Sequence, residues 1–214
     1  MTRRKKWLLG IPTLLIFSIG LSGLAAGNMR WFVGDWPATA FVLMLMGMWA
    51  VPIAFIDPGR GGGKRSVSRL LLGLAFLATI SLAVFDHVRH PGRPAALSIL
   101  GLLLCAAAVP LGLAALRTLG RFYVPDPQIL PGQGLVTQGV YRRIRHPMYT
   151  AALLWILGLP LVVQSLWGLL ASAALALPIL WFRIGQEEAL LLQAFGDQYA
   201  AYQDRSWRLI QFVF

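Results

Sequence analysis

Hydrophobic positions in this chain come in long unbroken runs rather than in the alternations or one-sided stripes of a water-soluble fold. Six such runs predict six membrane-spanning helices: Trp7–Ala26, Pro37–Ile56, Leu70–Phe85, Ala95–Leu116, Tyr149–Val163 and Leu166–Arg183. The first follows a basic head, Thr2 to Lys6, and ends near Ala25 and Ala26, as a secretory signal does. Its apolar stretch is about 20 residues, beyond the roughly 7–15 of a cleaved signal, so an uncleaved span is expected. The last two runs form a hairpin turning near Gln164 and Ser165. At about 1.5 Å per residue each half spans roughly 22–27 Å, short of a core about 30 Å thick. Local thinning or a partly buried turn is therefore expected. Among the 214 residues 57% are hydrophobic and 13% charged. A soluble domain carries about 25% charged residues, so this chain could not cover a water-facing surface.

The net charge of +11 invites a nucleic-acid reading. The cations instead fall between the apolar runs, where they set topology. Sixteen lysines and arginines lie on one side and only Arg30, Arg89 and Arg93 on the other. That split predicts both termini in the cytoplasm, and an even number of spans agrees. No nucleic-acid partner is expected. The basic loop Asp57–Arg69 contains GRGGGK but lacks the spacing of a phosphate-binding loop, so contact with anionic membrane lipids is expected there. Cys105, the one cysteine, lies in an apolar run and reads as a small helix-packing residue. His87 and His90 fall on the opposite side from His146, so no metal site is visible. The proline- and glycine-rich stretch from Arg117 to Pro147 is too long for an ordinary connector and predicts an irregular, ordered cover on the cytoplasmic face.

Candidate chemistry gathers at the two ends of the hairpin. Before it runs PGQGLVTQGVYRRIRHPMY, Pro131 to Tyr149; after it runs RIGQEEALLLQAFGDQYAAYQDRSWR, Arg183 to Arg208. Polar and cationic groups at a membrane boundary are costly unless something binds there, and the hairpin returns both clusters to one side of the bilayer. Proline pushes His146 out of helical geometry and Pro147 suits a first helical turn, so His146 marks the mouth of the fifth span. It reads equally as a solvated helix-entry residue or as part of an anion site. Tyr141, Arg145 and Tyr149 recur every four residues, yet Pro147 argues against an unbroken helix through them. Arg183 and Glu187 are four apart at the end of the last span and share a helix face; the bland alternative is a snorkelling arginine. Glu188 lies about 100° further round the helix, so one glutamate alone is expected to face a shared pocket.

These clusters resemble the isoprenylcysteine carboxyl methyltransferase family and the related membrane phospholipid methyltransferases. The pattern LVTxGxYxxxRHPxY appears as LVTQGVYRRIRHPMY from Leu135, and EExxLxxxFGxxYxxY with a basic tail appears from Glu187. The resemblance covers Gly132 to Arg208; the first four spans match only as generic hydrophobic helices. It implies S-adenosylmethionine as methyl donor and a lipophilic acceptor entering from the bilayer. It further implies cofactor contacts from Gln133, Gly134, Leu135, Val136, Tyr141, His146, Pro147, Met148, Tyr149 and Glu187. Arg183 would face the acceptor, with Arg145 as a second catalytic candidate. The family ending Arg-x-Ile-Pro is altered, because Gln211 follows Ile210.

The expected architecture is an all-α polytopic membrane bundle: four spans over 1–116, then a catalytic region over 117–214 that includes the hairpin 149–183. Methyl transfer is an in-line displacement and needs positioning more than a nucleophile. The alternatives are a membrane reductase using NADPH, with Tyr141 or Tyr149 as proton donor, and a lipid-binding membrane protein without catalysis.

Overall fold

The structure, a computed structural model, describes Gly20, residues 35–55 and residues 67–210. The first expected span and most of the basic loop 57–69 lie outside the described residues. Helix α1 covers Trp36–Phe55, α2 Val67–Arg89 and α3 Ala95–Leu119. Helix α4 runs over Pro147–Val162, and after a turn α5 covers Leu166–Ala171. A π-helical segment, Ser172–Ala176, joins α5 to α6, Leu177–Phe195, and a short α7 covers Asp197–Asp204. The described residues contain no strand, only one parallel bridge between Ile144 and Trp207.

Three of these helical stretches are long and apolar enough to cross a membrane: Leu70–Arg89, Ala95–Phe122 and Leu166–Phe195. Trp36–Leu45 and Pro147–Val162 are shorter apolar helices. The chain is a multi-pass membrane protein. The helices outrun the expected boundaries: α2 continues to Arg89 and α3 to Leu119, where Gly120 at φ 51° ends it. Hydropathy stops at the first charge, whereas the backbone ladder stops only where a residue leaves helical geometry.

Helices α3 and α4 meet backbone to backbone. A Cβ on Gly101 would sit 2.5 Å from the Val162 nitrogen and 2.6 Å from the Gly158 carbonyl oxygen. A Cβ on Gly158 would meet the Cys105 sulfur at 2.7 Å. Small residues let membrane helices approach this closely, and the packing role expected of Cys105 follows. Around this contact Phe41, Ile80, Val84, Leu159 and Val162 form the buried core.

The hairpin turn between α4 and α5 is buried, with Gln164 at φ 55° and Ser165 fully enclosed. Asp86 of α2 holds it. Its carboxylate accepts hydrogen bonds from the Ser165 hydroxyl (2.8 Å), the Trp167 N–H (3.3 Å) and both terminal nitrogens of Arg93 (2.7 and 3.0 Å). Arg93 also donates to the Gln164 carbonyl at 2.6 Å. Sixteen residues of α4 reach only about 24 Å, so this charged clamp lets the turn end inside the bundle. His87, paired with Asp35 at 2.6 Å, and His90, bonded to Asp86, lie at this end, remote from His146.

Candidate active site

Two irregular segments at the other end of the bundle converge. Gly139, at φ 58°, opens a 3-10 turn over Gly139–Arg142 that buries Tyr141. The chain then runs extended through Ile144, and His146 (φ −124°, ψ 58°) precedes Pro147 in the first turn of α4. Tyr141, Arg145 and Tyr149 therefore share no helix face. On the C-terminal side Gly196, at φ 49°, ends α6 and turns the chain into α7. After α7 the strand-like stretch Trp207–Leu209 lies alongside Arg143–His146. The Trp207 N–H donates to the Arg143 carbonyl (2.8 Å), the Arg145 N–H to the Trp207 carbonyl (2.7 Å), and the His146 N–H to the Arg208 carbonyl (3.1 Å). The Thr150 hydroxyl donates to the Leu209 carbonyl at 2.7 Å, and the Tyr202 hydroxyl to the Tyr141 carbonyl. Despite the altered tail sequence, Leu209 is buried beside Leu180, Ile184, Tyr149 and Leu153.

Glu188 is the hub of this junction. Its carboxylate, only 8% exposed, meets His146 Nε2 at 3.2 Å, Arg145 Nε at 3.3 Å and the Arg208 guanidinium. Arg145 also donates to the carbonyls of Gln203 (3.0 Å) and Ser206. Arg145 is thus shared among the carboxylate and two backbone carbonyls, and it staples the C-terminal return to the His146 segment. His146 is buried and packs edge-on against Tyr149, their ring centres 5.7 Å apart.

A second cluster forms around Glu187, the residue before Glu188 on α6, and Arg183, about one turn earlier. The Tyr149 hydroxyl interacts with both side chains, and Tyr123 and Tyr141 also lie within the field of Glu187. Burial, with the Glu187 charge adding to it, pushes the hydroxyls of Tyr123 and Tyr141 above the ordinary tyrosine range. Arg183 is not a snorkelling residue: it is buried and donates to the Ser68 hydroxyl (3.0 Å) and the Pro125 carbonyl (2.7 Å). Asp126 stands 4.0 Å from it. Arg183 thereby pins the segment around Pro125 across α2 and α6, which gives the irregular cover its anchor. The two glutamates point to different neighbours, as their separation of about 100° around the helix implies. The two faces of α6 meet different neighbours, His146 on one side and Tyr149 on the other.

The segment Gln133–Val136 is placed differently. The Gln133 side-chain oxygen accepts from the Leu130 N–H at 2.9 Å, closing a turn whose Gly132 has φ 71°. Gly134 is exposed, while Leu135 and Val136 are half-buried, as is Met148. No hydrogen bond or ion pair among the described residues ties Gln133–Val136 to the Glu188 hub. Sequence reasoning set Glu188 apart from the shared pocket, read Arg208 as a solvated charged end, and did not single out Tyr123. The doubled Glu187–Glu188 was the available signal for the first; the others depend on how the chain returns, which spacing does not encode.

The phospholipid methyltransferase family model matches residues 96–198. Protein-S-isoprenylcysteine O-methyltransferase A of Arabidopsis thaliana is 30% identical over 161 residues, covering 72% of this chain and 82% of that protein. The corresponding enzyme of Schizosaccharomyces pombe is 40% identical over a shorter stretch of 75 residues, 33% of this chain and 30% of that protein. A solved structure of a eukaryotic intramembrane Ras methyltransferase, isoprenylcysteine carboxyl methyltransferase, superposes with a TM-score of 0.57 at 20% identity; 91% of this chain and 74% of that one are covered. The relationship to the Arabidopsis enzyme, 30% identical across 72% of this chain, places the chain in the protein-S-isoprenylcysteine methyltransferase family as an integral-membrane methyltransferase.

Proposed function

We propose that the two clusters form one site in which S-adenosylmethionine donates its methyl group to the carboxylate of a lipophilic acceptor, a prenylated cysteine in the first instance. The observation carrying this reading is that the two clusters meet: His146 Nε2 lies 3.2 Å from Glu188, and Tyr149, packed edge-on against His146, has its hydroxyl beside Glu187 and Arg183. A cluster of aromatic rings around a carboxylate suits a cation, and the donor carries a sulfonium. The bound donor supplies a sulfonium methyl that an acceptor oxygen takes in line, leaving a thioether and a methyl ester. The protein's part is to hold and to dry the partners. Glu187 and the tyrosine rings stabilise the positive end, and their burial keeps the tyrosines protonated. Arg183, whose carboxylate neighbour Asp126 is loose at 4.0 Å, offers a guanidinium to an acceptor carboxylate. Arg145 acts by holding the C-terminal return closed over the His146 segment.

Several further assignments rest on the same reading. Gln133, Gly134, Leu135 and Val136 would approach the cofactor from the cover, and Met148 from the first turn of α4. The cluster end of the bundle faces the cytoplasm, where the arginines concentrate and the soluble donor is found. The host membrane is taken to be a cytoplasmic one, with both termini on its inner face. A reductase would need Tyr141 or Tyr149 as a proton donor, and burial makes the Tyr141 hydroxyl a weaker acid.

The test is transfer of labelled methyl from S-adenosylmethionine to N-acetyl-S-farnesylcysteine by the purified protein, compared with the acceptor carboxamide. A base-labile labelled ester on the acid, and none on the amide, is expected. Equal labelling of the amide, or labelling of phosphatidylethanolamine alone, would remove the carboxylate acceptor from the account.

A further inference from the structure

Beside the catalytic junction, between the Gly139–Arg142 turn and the end of α7, opens a basin of about 630 Å³ lined by Thr137, Gln138, Gly139, Arg142 and Arg205. The lining holds two guanidiniums and no carboxylate. Four other arginines near the junction are engaged elsewhere. Arg145 and Arg208 meet Glu188, Arg183 meets Ser68 and Pro125, and Arg121 stacks on Phe122. The side chains of Arg142 and Arg205 make no ion pair or hydrogen bond among the described residues, and both are exposed to the basin. Like charges facing one space repel, yet the Tyr202–Tyr141 hydrogen bond fixes the two elements that carry them. A pair of cations held toward each other in this way is complementary to an anion with several oxygens, which guanidinium forks grip bidentately. The Thr137 hydroxyl and the Gln138 carboxamide supply further polar groups at the rim.

We propose that this basin binds the phosphodiester headgroup of an anionic phospholipid in the leaflet next to the active site. The position of Arg142 argues for a lipid over a free anion. It stands five residues before Pro147, where α4 enters its apolar run, so the basin opens at the membrane–water boundary. A headgroup there bridges the Gly139–Arg142 turn, which carries Tyr141, to α7, which leads into the extended return stretch on Arg145 and His146. Anionic lipid thereby stabilises the closed junction from outside the site. A cationic residue near a charged bilayer adds about 1 kcal/mol to binding, equivalent to about fivefold, so removing two lowers affinity by about thirtyfold.

The experiment uses the full chain in neutral detergent, titrated with short-chain phosphatidylglycerol, phosphatidylcholine or inorganic phosphate while the thermal unfolding midpoint is followed. Phosphatidylglycerol should raise the midpoint of the wild type and of a control pair, Arg117→Gln with Arg121→Gln. The pair Arg142→Gln with Arg205→Gln should need about thirtyfold more lipid for the same rise, with unchanged affinity for S-adenosylhomocysteine. If that pair does not fold, Arg142→Lys with Arg205→Lys keeps the charge, loses the forks and should bind with intermediate affinity. Four results would overturn the assignment. They are an equal lipid response in the Arg142 and Arg205 variants, an equal loss in the control pair, a wild-type response to phosphate matching that to phosphatidylglycerol, or loss of S-adenosylhomocysteine affinity in a folded Arg142 and Arg205 variant. The last would give the basin to the cofactor's amino-acid end.

Discussion

Adjacent glutamates with separate duties offer the sharpest perturbation. Glu188→Gln preserves volume but removes the charge that Arg145, Arg208 and His146 share. Breaking a buried ion pair costs about 3–5 kcal/mol. Here Arg145 keeps the Gln203 carbonyl at 3.0 Å and the Arg208 side chain is 28% exposed, so part of the charge finds other partners. The amide also retains an acceptor oxygen. The expected loss is therefore about 2–3 kcal/mol. For a chain of this size that is a fall in unfolding midpoint of roughly 5–10 °C. Glu187→Gln touches a half-buried carboxylate beside tyrosines and should cost less than about 1 kcal/mol of stability. It removes a charge-assisted contact worth about 1.5–3 kcal/mol, so affinity for S-adenosylhomocysteine should fall by about tenfold to a hundredfold. Thermal unfolding in detergent reads the first effect, and calorimetric titration at a temperature where both variants are folded reads the second. The reverse pattern, with Glu187→Gln unstable but binding normally and Glu188→Gln stable, would refute this division of roles.

Other outcomes follow from single contacts. Arg183→Ala should lower kcat more than it weakens S-adenosylhomocysteine binding; equal losses in both would contradict an acceptor-side role. Gly158→Leu should prevent the close approach of α3 and α4 and unfold the protein at ordinary temperature, because even a Cβ falls 2.7 Å from the Cys105 sulfur. Gly185→Ala in α6, where a Cβ meets nothing within 4 Å, should be neutral or slightly stabilising in the same melt. Asp86→Asn should loosen the buried hairpin turn, lowering thermal stability while leaving cofactor affinity within about twofold; a matching fall in affinity would show that the two ends of the bundle are coupled.

Much of the architecture was legible because a bilayer constrains a chain more tightly than water does. An unbroken apolar run must be helical, so α1 to α4 and the continuous α5–α6 stretch could be placed from hydropathy, though not the π-helical segment between the last two. The hairpin turn at Gln164 and Ser165 was readable for the same reason. Its burial followed from the short reach of α4, although nothing in the spacing pointed to Asp86 as its partner. At the candidate site, one-dimensional spacing could relate groups carried by regular helix but not those delivered by irregular chain. Arg183 and Glu187 could be related through helix geometry. Tyr123 reaches the site from the cover, and Arg208 from an extended return stretch whose register is set by backbone hydrogen bonds to Arg143 and His146. The Glu187–Glu188 ambiguity had the same root. A helix face is selective only when its neighbours stand on one side, and here the His146 segment and Tyr149 flank α6 on both.

The central claim is that the His146 segment and the Glu187–Glu188 turn enclose one cofactor. A structure determined with S-adenosylhomocysteine bound tests it most directly. The account predicts the ligand sulfur against the rings of Tyr141 and Tyr149, close to Glu187 and on the membrane side of the Glu188 hub. A ligand lying in the Arg142–Arg205 basin, or touching only one of the two segments, would contradict it.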